Sequence, residues 1–97
     1  MLRMLAPFLL ALALIGVAAA ARAECYADYK AKTDDPLRLH YGVIALPEEA
    51  CTPEAAPRLI AERIDGEGWT LLKVMAIFDA DGLEERRTSA GDYFLRY

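Results

Sequence analysis

The chain predicts a small α+β domain: a mostly antiparallel sheet of about four strands in the order strand, strand, helix, strand, strand, with one helix packed on one face. Three observations carry this. Two stretches of period two, residues 25–33 and 37–46, flank the turn sequence Thr33-Asp34-Asp35-Pro36. One stretch of helical spacing follows over 52–65. A continuous apolar run over 69–78 and an aromatic-rich segment over 92–97 complete the pattern.

In the first strand Cys25, Ala27, Tyr29 and Ala31 fall on one side and Tyr26, Asp28, Lys30 and Lys32 on the other. The lysines suit an edge strand. A helix stays open as an alternative, since Tyr26, Tyr29 and Lys30 also sit at helical spacing. Asp34, Asp35 and Pro36 are turn residues, because Asp bonds its local backbone and Pro fixes φ. In the second strand Leu37, Leu39, Tyr41, Val43 and Ala45 share one face; Arg38 and His40 begin the other, which becomes apolar at Ile44 and Leu46. A hairpin centred near Asp34 and Asp35 sets Cys25 opposite Ile44 or Ala45. Thr52 caps the helix, Pro53 suits its first position and Glu54 the positive end of its dipole. Pro57 deletes a backbone bond, which moves the regular helix toward Glu54 or Ala55. Gly66 or Gly68 closes it. The run 69–78, charged only at Lys73, reads as a central strand. Residues 79–91 form a polar connection with a short helical turn at 83–87. Residues 92–97 make the last strand, with Tyr93, Leu95 and Tyr97 on one side.

The chain opens with an export signal. Arg3 supplies a cationic start, and no charge follows from Met4 to Ala21. Gly16 loosens the apolar segment near its end. Ala21-Arg22-Ala23 then gives the small-x-small pattern that a leader peptidase accepts. Residues 1–23 read as a secretory signal peptide cleaved between Ala23 and Glu24. A retained membrane anchor is the competing reading, but the run is short for a bilayer and is broken by Pro7 and Gly16. Glu24 directly before Cys25 is unsuited to lipid attachment. The expectation is one domain over 24–97, periplasmic or secreted, without membrane association once the leader is removed. Two of the eleven cations, Arg3 and Arg22, leave with the leader. All fifteen acidic residues stay, so the remaining chain carries a net charge of −6. That balance excludes a nucleic-acid binder of the usual basic kind.

Export places Cys25 and Cys51, the only two cysteines, where disulfides persist. Pairing them closes a 27-residue loop, worth about 3 kcal/mol by chain entropy. So short a chain is marginal without such a staple. A metal site is not expected: there is no Cys-x-x-Cys, and His40 is the only histidine.

The segment 67–78, "EGWTLLKVMAIF", following a short helix and followed by "DYFLRY", resembles small bacterial domains of unknown function with a strand, a helix, a Gly-Trp-x-Leu strand and a final aromatic strand. With "CYADYKAK" and "LHYGVIAL", the chain after its leader also resembles uncharacterised exported proteins of alphaproteobacteria. The resemblance implies the fold and no activity.

No catalytic constellation stands out. His40 is the only general-base candidate of ordinary pKa; a nucleophile partner would be Ser89 or a free cysteine, and neither stands in a recognisable motif. Asp79, Asp81 and Gly82 match part of a calcium loop, but its first position falls on Ile77 and its twelfth on Thr88. The chain therefore reads as a non-catalytic protein-interaction module without cofactor or metal. It binds an unknown protein partner or a second copy of itself. A weak small-ligand or divalent-cation site at the acidic 79–85 loop is the alternative. One helix cannot cover both sheet faces, so Ile44, Leu46, Leu72, Val74 and Phe94 form the candidate interaction face.

Overall fold

A computed structural model of the chain describes residues 23–97. The expected leader lies outside the described residues, except Ala23, which is exposed beside Glu24 at the start of the domain. Among the described residues the class is α+β: three strands, two helices and short 3-10 turns. Strand β1 spans Cys25–Thr33, β2 Arg38–Leu46 and β3 Thr70–Phe78; helix α1 spans Ala55–Asp65 and α2 Glu84–Ala90. The sheet is antiparallel throughout, in the order β2-β1-β3.

The central strand is thus β1, where the lysines suggested an edge. Ala27, Tyr29 and Ala31 are fully buried on one face; on the other Asp28 is buried and Lys30 is exposed. The hairpin pairs Thr33 with Arg38 and Cys25 with Leu46, one to two residues beyond the expected register. That shift has a large effect, because a one-residue slip exchanges the faces of a strand. In the observed register His40, Gly42, Ile44 and Leu46 join Cys25, Ala27, Tyr29 and Ala31 on a single face. Cys25, Ala27, Ala31 and Gly42 are all small, so a helix approaches this face closely. Helix α1 does so through Ala56, Ile60 and Ile64, which share the core cluster with Ile44, Leu46 and Trp69. Fully burying each isoleucine contributes on the order of 2 kcal/mol.

The start of α1 follows the sequence expectation. Thr52 Oγ1 accepts the Ala55 N–H at 3.0 Å, and its carbonyl accepts from Ala56. Past the helix, Gly68 (φ 85°) reverses the chain while the Trp69 N–H bonds the Ile64 carbonyl. The disulfide joins Cys25, at the head of β1, to Cys51, just before α1, with Cα atoms 6.1 Å apart.

Strand β3 lies at the sheet edge. Its apolar run has a local cause. Leu71, Val74 and Ile77 oppose the core-facing Ala31, Tyr29 and Ala27, a spacing of three where a regular strand gives two. The pairing skips Leu72 and Met75, which are the bulge residues and stand exposed. Apolar character on both faces therefore records two bulges, not burial between two neighbours.

The fourth strand does not form. After Gly91 (φ 53°) the chain makes a 3-10 turn over Gly91–Tyr93, and Leu95 again has positive φ at 56°. One parallel bridge, Val43 with Phe94, and one bond from the Leu95 N–H to the Val43 carbonyl (2.8 Å) hold this end beside β2. The helical turn expected at 83–87 is instead a second helix, α2. Glu84 and Glu85 sit at its positive end and Arg87 in its last turn, and Arg87 Nε lies 3.2 Å from Glu84 Oε2. Helix α2 packs on the sheet face that α1 does not use.

Candidate functional site

The face under α2 holds a buried polar clamp. Asp28 points opposite to Ala27 and Tyr29 by strand alternation. Its Oδ2 accepts from the Tyr41 hydroxyl at 2.7 Å and from Arg86 Nε at 3.0 Å. The Arg86 guanidinium also lies 3.9 Å from the centre of the Phe78 ring and donates to the Gly82 carbonyl at 2.8 Å. Burial pushes the Tyr41 hydroxyl up to about 12, reinforced by its hydrogen bond to Asp28. Beside the clamp, Arg87 lies 4.4 Å from the Phe94 ring centre, and Val43 and Ala90 are buried. The clamp fixes α2 over one half of this face.

The other half stays open. Leu39 and Leu72 are 68% and 51% exposed there, and Leu37, in the adjoining turn, is 65% exposed. A shallow hollow of about 250 Å³ lies among Lys30, Ala31, Leu39, His40, Tyr41 and Leu72. Lys30 on β1 stands directly opposite Lys73 on β3, and Lys32 follows two residues along on the same face.

On the α1 face, beyond the helix, His40 sits in an aromatic cluster. Its Nε2 is 2.9 Å from the Tyr29 hydroxyl. The ring stacks on Tyr93 at 3.8 Å and meets Trp69 edge-on at 4.2 Å. Neutral His40 and Tyr29 hold two polar hydrogens between them and share one bond, and His40 Nδ1 finds no partner among the described residues. Burial, then the nearby Arg96 charge, lowers the His40 pKa from 6.5. Burial, then Tyr97 and Tyr93, raises that of Tyr29 well above the usual phenol range. The imidazole fills its own cage, so the cluster serves to anchor the C-terminal segment to the sheet.

The residues expected to form one interaction face are dispersed. Ile44 and Leu46 are fully buried under α1, and Val74 packs against the same core. Leu72 is exposed near Lys30 and Leu39, and Phe94 is half-buried beside Arg87. Only Leu72 belongs to the open half-face. The residues that accompany it, Leu39, Lys30 and Lys73, were not expected there. Their signal is the shared parity of Lys30 and Lys32 with Asp28, combined with a register that sequence leaves undetermined.

In the acidic 79–85 loop, the carboxylates turn to their own neighbours. Asp79 Oδ1 accepts the Asp81 N–H at 3.2 Å, Glu85 pairs with Arg86 and Glu84 with Arg87. Among the described residues no three His, Cys, Asp or Glu side chains converge as a metal site. No described helix is long and apolar enough to cross a membrane. Compared with known proteins, the chain matches no family model, no curated protein and no solved structure.

Proposed function

We propose that this chain is an exported interaction module, acting without catalysis, that binds a protein partner through the half-face its second helix leaves open. The observation that carries the reading is the exposure of Leu39 and Leu72 around one hollow of a sheet whose other side is a closed core. Large apolar side chains grouped on a rigid surface mark recognition sites more than isolated ones do. The Tyr41 ring adds a half-buried aromatic at their centre. The disulfide between Cys25 and Cys51 supports export, since such bonds persist in oxidising compartments.

Paired substitution of Leu39 and Leu72 by Ser tests the reading. Both side chains are about half or more exposed, so the thermal midpoint should hold within a few degrees. The disulfide-bonded protein, isolated from its own cells after crosslinking, should carry a stoichiometric partner that the double variant loses. A protein that stays monomeric and partner-free removes the module reading. A partner kept equally by the double variant removes the open face as its site.

A further inference from the structure

The chain contains three lysines, at 30, 32 and 73, and the fold brings all of them to the open half-face. This is unexpected on charge alone, because the chain as a whole carries −4. Lys32 reaches Asp34 in the hairpin turn, at 3.2 Å. Lys30 and Lys73 form no ion pair among the described residues, although they are direct cross-strand partners. Like charges placed opposite each other in an antiparallel pair oppose folding. Among the described residues no carboxylate pairs with either ammonium group, and an anion lying between the two would relieve the repulsion.

We propose that the Lys30–Lys73 pair, flanked by Leu39, Leu72 and Tyr41, is the docking site for an acidic protein segment that carries an apolar side chain between carboxylates. The inference rests on the interaction-module reading and specifies its partner. The hollow between Leu39 and Leu72 is open and about 250 Å³. It takes one apolar side chain, and it is too small and too open to enclose a free ligand. A second copy docking by the same face sets lysines against lysines, so self-association through this surface is disfavoured. An anionic membrane is disfavoured as well. A flat surface that touches Leu37 and Leu39 also meets the exposed Asp34 and Asp35 of the adjoining turn, and three lysines supply little attraction against the net charge of the chain. A narrow acidic segment lying across β1 and β3 avoids those two acids.

Titration of the isotopically labelled, disulfide-bonded protein tests this by amide chemical shifts. The probes are a ten-residue peptide of alternating Glu and Leu, a matched peptide of alternating Lys and Leu, and vesicles containing phosphatidylserine. The Glu–Leu peptide should shift the amides of Lys30, Leu39, Leu72 and Lys73, and the Lys–Leu peptide should not. Raising salt from 50 to 300 mM should weaken binding severalfold. Lys73→Glu should weaken it about tenfold while raising the thermal midpoint by about 2 °C, because it turns a repulsive cross-strand pair into an attractive one. Absence of shifts at millimolar Glu–Leu peptide, shifts confined to another surface, or binding indifferent to Lys73→Glu each overturn the proposal. So does vesicle binding in the absence of peptide binding. If the partner isolated from cells is lost with Leu39 and Leu72 but retained by Lys73→Glu, the acidic-segment inference fails while the module reading stands.

Discussion

The Tyr29 ring lies across Gly42, its register partner, so closely that a Cβ at Gly42 would sit 2.5 Å from the phenol oxygen. The glycine clears a path along the sheet, and the hydroxyl uses it to reach His40 Nε2. Gly42→Ala forces the buried tyrosine aside. It should destabilise the protein by about 2 kcal/mol, as overpacking of a rigid site does, measured by urea denaturation. A loss below about 0.5 kcal/mol, the range of an ordinary surface change, would show that Tyr29 has room to move.

His40 gives stability a pH dependence of known sign. Its folded-state pKa lies below 6.5, chiefly through burial. As the pH falls below 6.5, the unfolded chain takes up a proton that the folded imidazole resists, so stability declines; above 6.5 the contribution is constant. The slope does not exceed about 1.4 kcal/mol per pH unit. Urea denaturation at pH 7.5, 6.5 and 5.5 should show the decline, and His40→Phe should flatten it. A decline of equal size in the variant assigns it to other groups.

The Asp28–Arg86 contact should behave as a coupled pair. Their side chains are 9% and 21% exposed. Removing either partner leaves the other charge poorly solvated, at a cost of about 3 kcal/mol for Asp28→Asn or Arg86→Met. The double variant should lose less than the sum, with a coupling near 2 kcal/mol. Strict additivity in a double-mutant cycle would mean that α2 is held by the aromatic contacts of Arg86 and Arg87 alone.

Reduction of the Cys25–Cys51 bond should cost about 3 kcal/mol, the loop-closure entropy of the chain it spans. For a domain of this size that corresponds to about 15 °C in thermal midpoint. Scanning calorimetry with and without a reductant measures it, and a shift of under about 5 °C would place most of the stability in the core alone.

The parts of this fold that could be read in the sequence are those fixed by local chemistry. Asp34, Asp35 and Pro36 mark the hairpin, Thr52 marks the helix start, and the two cysteines, the only ones in the chain, point to each other. Misplaced features depended on parity or on distant partners. The alternation of β2 was clear, but its faces were assigned only once Cys25 met Leu46, which sent Ile44 and Leu46 inward and Leu39 outward. The edge position of β3 was hidden by bulges at Leu72 and Met75, which lengthen an apolar run without adding a neighbour. The alternation of Tyr93, Leu95 and Tyr97 reads as one face of a strand, but the path is broken at Leu95, where a positive φ has no sequence signal; only Tyr93 and Tyr97 come together, against His40. Of the open half-face, Leu72 was legible and Lys73 was not, because its place opposite Lys30 depends on the same two bulges.

Those bulges also bear on solubility. The nine residues of β3 cover only seven of β1, Tyr26 to Lys32, so the outer rim of the sheet is coiled rather than straight. A straight strand from another chain cannot stay in step along such a rim, and growth into fibrils by strand-upon-strand stacking is frustrated at its first layer. A domain of this size can then display leucines on an open face while its β3 flank is a poor template for polymerisation.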